Sequence, residues 1–406
     1  MQTRLLPHYR ESAWGGQAER ILRACVHCGF CTATCPTYQL LGDERDGPRG
    51  RIYLIKQMLE GEPAGVTTRR HLDRCLTCRA CETTCPSGVE YARLLDIGRE
   101  QIERLAPRRP TDRAMRAALR RVLPWPRRLR ALARLGQVLR PLLPARTRAR
   151  LPRIGEDRPW PHARHARCVI IATGCAQRAL RPETNAALAR LLDRLGVGAL
   201  AAPAQGCCGA VSHHLSASEE ARDFARRNIA AWWPSIEDGA EAILIAASGC
   251  GVMVKDYGQL LAHDPAWSER AGRVAELARD PVEYLADFDL SAWRIDAARA
   301  GRIAFHVPCT LQHGQRLSGR VEALLESLGL ELTPVADAHL CCGSAGTYSI
   351  LQAELAEALR ARKLAALEAG RPERLVSANI GCQLHLEAGA GRRVWHWLEL
   401  LDELAE

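Results

Sequence analysis

Two copies of one cysteine run constrain this chain more than any other feature: Cys25-x-x-Cys28-x-x-Cys31-x-x-x-Cys35-Pro36 and Cys75-x-x-Cys78-x-x-Cys81-x-x-x-Cys85-Pro86. In each run three thiolates sit on one tight loop, which suits a 4Fe-4S cluster. The proline after the fourth turns the backbone away and sends that sulfur to the other cluster. The pattern assigns Cys25, Cys28, Cys31 and Cys85 to one cluster, and Cys75, Cys78, Cys81 and Cys35 to a second. Paired Cys-x-x-Cys units also suit tetrahedral zinc, but four equally spaced cysteines ending in Cys-Pro, twice over, fit the two-cluster ferredoxin pattern far better. A segment built this way folds around its clusters, and residues 1–106 read as a mostly helical ferredoxin-like domain with helices near 49–59 and 89–105.

Most of the nine remaining cysteines repeat as well. Thr173-Gly174-Cys175, Gly206-Cys207-Cys208-Gly209 and Ser248-Gly249-Cys250 match Val307-Pro308-Cys309, Leu340-Cys341-Cys342-Gly343 and Ile380-Gly381-Cys382. The single cysteine precedes the pair by 32 residues in both copies, and the last cysteine follows it by 42 and 40. Between the first two stations each copy carries an apolar stripe at helical spacing: Leu188, Leu191, Leu192, Leu195 in one, Val321, Leu324, Leu325, Leu328 in the other. This is an internal duplication. Apolar runs at 168–173, 242–247, 302–306 and 374–378 read as buried strands, alternating with helical stretches at 182–195, 219–232, 321–328 and 351–367. Each half is therefore an α/β unit with a largely parallel sheet. Sites in such sheets form beyond the carboxyl ends of strands, which gathers Cys175, Cys207, Cys208 and Cys250 at one rim and Cys309, Cys341, Cys342 and Cys382 at another. Buried free thiols are the plain alternative, and zinc a third. A vicinal pair flanked by single cysteines at matched distances speaks for metal ligation, with iron–sulfur chemistry favoured. Cys168 stands outside the repeat, mid-strand, and reads as core.

The duplicated Cys-Cys-Gly unit resembles the CCG domain of heterodisulfide reductase B-type subunits, and the whole order of motifs resembles the iron–sulfur subunits of bacterial glycolate oxidases. The most particular stretches are Pro48-Arg-Gly-Arg-Ile-Tyr-Leu-Ile-Lys56, Ser377-Ala-Asn-Ile-Gly-Cys-Gln-Leu-His-Leu386 and Val394-Trp-His-Trp-Leu398. Lactate-utilisation proteins and the small iron–sulfur subunit of anaerobic glycerol-3-phosphate dehydrogenase share the plan. The resemblance implies an α+β multidomain protein carrying two 4Fe-4S clusters and one or two further iron–sulfur clusters in the CCG domains. It also implies FAD held only in partner oxidase subunits, and electrons relayed toward a quinone or membrane acceptor. Heterodisulfide-reductase-type CCG domains end in Cys-x-x-Cys; here Met253 and His385 stand where the fifth cysteine would be. That departure favours an electron conduit over a reductase with a catalytic CCG cluster, which stays the second reading. His385, like His306, His213 and His214, receives no role.

The expected domains are 1–106, an arginine-rich linker at 107–164, and CCG domains at 165–295 and 296–406. Net charge is +10, yet residues 107–153 alone hold fifteen Arg and one Asp, a balance of +14, and +10 less +14 leaves −4 for the rest. Apolar residues near helical spacing accompany that charge, so the segment suits an anionic membrane surface or an acidic partner. No recognition motif points to nucleic acid. No dinucleotide fingerprint, P-loop or flavin segment appears, so two-electron oxidation of a hydroxy acid belongs to another polypeptide. Seventeen cysteines, all but Cys168 read as ligands, call for a reducing compartment. With neither a signal peptide nor a run of about 20 apolar residues in view, the expected location is the cytoplasm or the cytoplasmic face of the inner membrane.

Overall fold

The structure, a computed structural model, describes residues 1–163 and 165–405. The terminal residues of the expected linker and second CCG domain, 164 and 406, lie outside the described residues. The chain packs as two compact units, residues 1–117 with 339–359, and residues 118–338 with 360–406.

The first unit is helical. Helices α1 (Gly15–Ala24), α2 (Pro48–Leu59), α3 (Val66–Asp73) and α4 (Tyr91–Leu105) close over one core. Leu22, Ile55, Leu59, Leu72, Leu94 and Leu95 are fully enclosed there, with Cys25, Cys75 and Cys81 buried at its edge. Pro48 at the first position of α2 supplies a fixed φ where an amide is not needed. Between the cysteine runs lies a buried ionic knot around Asp46. Its carboxylate meets Arg74 at 2.7 Å, His71 Nδ1 at 3.0 Å and Arg51 at 3.4 Å. Arg51 also donates to His71 O at 2.7 Å and to Thr37 Oγ1 at 3.1 Å. Buried charge persists only when every partner is present, which explains the two arginines of the Pro48-Arg-Gly-Arg51 stretch only in part: Arg51 is enclosed, whereas Arg49 reaches outward to Glu44.

The second unit holds two parallel sheets. Strands β1 (Arg167–Ile171), β2 (Val197–Leu200), β3 (Ile243–Leu244) and β4 (Ala278–Arg279) lie in the order β2-β1-β3-β4. Strands β5 (Ile303–His306), β6 (Arg374–Ser377) and β7 (Val394–His396) lie in the order β5-β6-β7. A lone parallel bridge from Ile303 to Leu332 stands where the first sheet has β2, so the two sheets are copies with β1 matching β5 and β3 matching β6. The four strands expected from apolar runs are present. Strands β2, β4 and β7 were not expected, being two to four residues long and without a sustained apolar run. The helical stripes behave as anticipated: Leu188, Leu191 and Leu192 on α5 (Pro182–Arg194) and Val321, Leu324 and Leu325 on α6 (Arg320–Ser327) are buried.

Both halves contribute to one hydrophobic core, which joins Val169, Ile171 and Leu244 to Phe305, Val376 and Trp397. Further ties cross between them. His396 Nε2 lies 2.9 Å from Ala246 O while its Nδ1 accepts from Leu398 N, which fixes a neutral ring with the proton on Nε2. Arg190 pairs with Asp402, and Arg181 with Glu387 at 2.6 Å. Within the arginine-rich segment, residues Pro126–Val138 form a helix.

Candidate iron–sulfur sites

The eight N-terminal cysteines line two neighbouring cavities. Cys25, Cys28, Cys31 and Cys85 border one of ≈ 430 Å³; Cys35, Cys75 and Cys78 border another of ≈ 290 Å³; Cys81 and Tyr91 border both. The cavity walls thus pair Cys85 with the first run and Cys35 with the second. Each loop adopts one conformation twice over. Residues two and four after the leading cysteine have left-handed backbone, His27 (φ 57°) and Gly29 (φ 88°) in one, Thr77 (φ 54°) and Arg79 (φ 61°) in the other. Three of these four are not glycine, and such strain collects where a loop must aim its amides inward.

The sulfurs are met by donors. Thr77 N lies 3.4 Å from Cys75 Sγ, the Tyr91 hydroxyl lies 3.6 Å from the same atom, and Thr37 Oγ1 lies 3.3 Å from Cys35 Sγ. Arg99 fastens the second loop, donating to Leu72 O, Cys75 O and Thr77 Oγ1 at 2.7–3.0 Å. Burial pushes the Cys31 thiol up to about 11, with neighbouring sulfurs adding to it, and burial carries Cys81 well above the usual thiol range. Two thiols, one in each set, that resist ionising on their own fit cationic centres that make thiolates of them. Arg51, although burial opposes its charge, is held protonated by Tyr91, Cys75, Cys35 and Asp46, which sets a permanent positive charge near the second set of sulfurs.

In the first duplicated half Cys175, Cys207, Cys208 and Cys250 come together. The Cys207 thiol neighbours those of Cys175 and Cys208, and the Cys208 thiol neighbours that of Cys250. The thiols of Cys207 and Cys250 hold Cys208 well below the usual range against the pull of burial, while Cys207 and Cys250 are driven up. Gly209 N donates to Cys207 Sγ at 3.4 Å. The loop is carried by polar side chains that no motif singles out. Asn228 donates to Cys207 O at 2.8 Å and accepts from Gly206 N at 2.8 Å, Tyr257 donates to Cys208 O at 2.9 Å, and Gln205 accepts from Trp232 Nε1 at 3.1 Å. Gln205 adjoins the motif and could have been noticed. Asn228 and Tyr257 lie in helices far along the chain, and no spacing marks them.

In the second half Cys309 follows β5, and Cys382 sits in the first turn of α7 (Ile380–Ala390). Asn379 Nδ2 donates to Cys382 Sγ at 3.3 Å, and its Oδ1 accepts from Gly249 N at 3.3 Å; this one residue joins the helix starts that carry Cys250 and Cys382. Cys341 and Cys342 are buried and belong to the 339–359 segment of the first unit. Gly343 N lies 3.4 Å from Cys341 Sγ, repeating the Gly209 contact. His306 ends β5 at 2 % exposure, and neither ring nitrogen has a hydrogen-bond partner among the described residues. Burial, then the charges of Lys363 and His385, hold it neutral. His385 lies on α7, Met253 is packed in the core of the first half, and His213 and His214 stand side by side with ring centroids 5.7 Å apart. Cys168 is half-buried beside the first-half core, apart from both thiol sets.

Comparison with known proteins matches a 4Fe-4S dicluster domain to residues 21–89 and a cysteine-rich domain to residues 169–255 and again to 303–387. The glycolate oxidase iron–sulfur subunit of Escherichia coli (strain K12) is 55% identical over 407 residues, covering 100% of both chains. The chain belongs to the glycolate oxidase iron–sulfur subunit family. A probable glycolate oxidase iron–sulfur subunit of Bacillus subtilis (strain 168) is 32% identical across 94% of this chain and 93% of its own. Lactate utilization protein A of Geobacillus kaustophilus (strain HTA426) is 30% identical but spans only 54% of this chain, and 92% of its own. The structure also resembles a hypothetical protein from Helicobacter pylori, with a TM-score of 0.55 at 11% identity, over 96% of this chain and 72% of that one; that likeness concerns the fold alone. Membership of the family makes this an iron–sulfur protein with domains suited to electron transfer, a subunit of an oxidoreductase. No helix among the described residues is long and apolar enough to cross a membrane.

Proposed function

We propose that this chain is the electron-conducting subunit of a flavin-dependent 2-hydroxy-acid dehydrogenase acting on glycolate, receiving electrons from FAD-bearing subunits and passing them toward a quinone. The observation that carries the reading is the pair of adjacent cavities lined by the eight N-terminal cysteines, in a chain 55% identical throughout to a glycolate oxidase iron–sulfur subunit. One cluster is assigned to Cys25, Cys28, Cys31 and Cys85, a second to Cys75, Cys78, Cys81 and Cys35. The duplicated halves contribute Cys175, Cys207, Cys208, Cys250 and Cys309, Cys341, Cys342, Cys382 to further centres. Bound 4Fe-4S clusters supply one-electron carriers. The chain's own residues do the rest: thiolates hold the irons, Thr77 N and the Tyr91 hydroxyl stabilise charge on Cys75, and Arg51 favours the more negative state nearby. Cys28 is the exposed member of its set, flanked by exposed Val26 and Phe30, which makes that cavity the port for a redox partner.

Helix Pro126–Val138 presents exposed Leu132, Leu135 and Val138 beside exposed Arg127, Arg128 and Arg134. A basic amphipathic helix of this kind suits peripheral docking on the anionic cytoplasmic face of a membrane, near a quinone pool. The deciding assay adds the purified, cluster-loaded chain to its flavoprotein subunits. Glycolate oxidation is expected only in the complex, and quinone reduction is expected to stop with Cys28→Ser while flavin reduction persists. Turnover by the isolated chain would revive the stand-alone reductase.

A further inference from the structure

The two duplicated halves are not chemically equal. Three residues before the leading cysteine, at the carboxyl end of the matching strand, the first half has Ala172 and the second has His306. A neutral imidazole at this depth carries a donor and an acceptor, and leaving such groups unmet forfeits their hydration with nothing in return. Buried polar atoms without partners are rare enough that each calls for a cause. His306 has two, at 2 % exposure. Packing gives no reason for a histidine here, since the first half fills the same station with a methyl group. A ring nitrogen of His306 and the Sγ of Cys382 lie within 4.8 Å of each other. That separation is compatible with two donors sharing one metal centre, given bonds of about 2.0 Å to nitrogen and about 2.3 Å to sulfur.

We propose that His306 is a ligand of the metal centre in the second duplicated half, binding through a ring nitrogen alongside Cys382. The inference rests on the reading that this half holds an iron–sulfur centre, and it adds a donor that neither the cysteine repeat nor the family likeness assigns. Its chemical consequence is an iron with a neutral donor where the five-cysteine pattern would place its fifth thiolate. Exchanging thiolate for imidazole removes negative charge and raises reduction potential, as in Rieske centres. The first half, with Ala172 and Met253, keeps thiolates alone. The second centre therefore lies higher in potential, the natural order for an electron that moves from the Cys250 centre to the Cys382 centre.

The test is Mössbauer spectroscopy of the full chain enriched in iron-57 and purified anaerobically, because every iron is seen whatever its spin state. The native protein should carry more iron than the N-terminal cysteines hold, and one iron subsite should have the larger isomer shift of nitrogen ligation. His306→Cys should keep the iron and convert that subsite to a thiolate-like signal; His306→Ala should lose it or lower its occupancy. Extra iron with spectra unchanged in His306→Cys would overturn the ligand role and leave the iron–sulfur reading intact. Iron confined to the N-terminal sets would overturn both.

Discussion

At Gly343 a side chain has nowhere to go. A Cβ there would stand 2.7 Å from Ala356 O and 2.9 Å from Leu359 Cβ, and the backbone is left-handed at φ 90°. Gly209 repeats the situation, with φ 92° and a Cβ 2.9 Å from Ala221 O. The glycine of the Cys-Cys-Gly motif is thus required by steric fit to the following helix, while its amide reaches a cysteine sulfur. Gly343→Ala should destabilise the protein by about 2–4 kcal/mol, combining left-handed strain with a clash. Gly196→Ala, where φ is 70° and nothing lies within 4 Å, should lose only about 1 kcal/mol; denaturant midpoints of the two variants measure the gap, and equal losses would refute the packing account. A second residue-scale expectation concerns Asn379. Replacing it by Leu removes the donor to Cys382 Sγ, so the centre held by Cys382 should fall in reduction potential. A redox titration followed by EPR reads the shift, and an unchanged or raised potential would remove Asn379 from the account.

Two elements carry predictions of their own. The short helix Pro281–Leu285 is capped by Asp280, whose carboxylate accepts from Val282 N at 3.1 Å. Burial, helped by Glu283, pushes Asp280 up to about 7 from the ordinary 3.8. The folded state therefore prefers the protonated acid: the stability this gives is full below about pH 4 and is lost as pH rises through 7. Asp280→Asn keeps the cap and removes the titration, so it should melt higher than the parent at pH 8 and show a flatter melting profile between pH 4 and 8. A parallel loss of stability in both proteins would rule out Asp280 as the titrating group. In the helix Pro126–Val138, Arg130 is occupied by Asp157 at 2.8 Å, whereas Arg127 and Arg134 are exposed and Arg128 lies over the Trp125 ring. Changing Arg127, Arg128 and Arg134 to Gln should weaken binding to anionic vesicles, read by sedimentation, by roughly 100-fold, at about 1 kcal/mol per charge, and 0.5 M salt should mimic it. Vesicle binding that withstands both treatments would return the helix to a solvated connector.

For the whole molecule, iron should exceed the eight atoms of two 4Fe-4S clusters, and the excess should survive the double change Cys28→Ser and Cys78→Ser; an inventory that falls to zero would leave the duplicated halves metal-free. Much of this architecture was legible beforehand, because cysteine spacing and the Leu188 and Val321 stripes are periodic, and periodicity is what sequence displays. Strands as short as Ile243–Leu244 and Ala278–Arg279 carry too few residues for a pattern, and tertiary packing decides them. The ring around Cys207 and Cys208 escaped for a related reason: Asn228 and Tyr257 act through hydrogen bonds across 20 to 50 residues of chain, a distance that no local rule spans. His306 was visible as a residue, but only its buried, unpartnered ring gave it meaning.

Val169 and Leu244 share their core with Phe305 and Trp397, and His396 of one half is anchored to Ala246 O of the other. Neither copy of the ancestral unit can now be discarded or rebuilt alone. Selection acting on such a pair is confined to single stations, such as those where Ala172 stands against His306 and Met253 against His385. Division of labour between sister centres is then reached by exchanging single donors on a frozen scaffold, and a relative that restores symmetry at residue 306 would have reverted to two interchangeable relays.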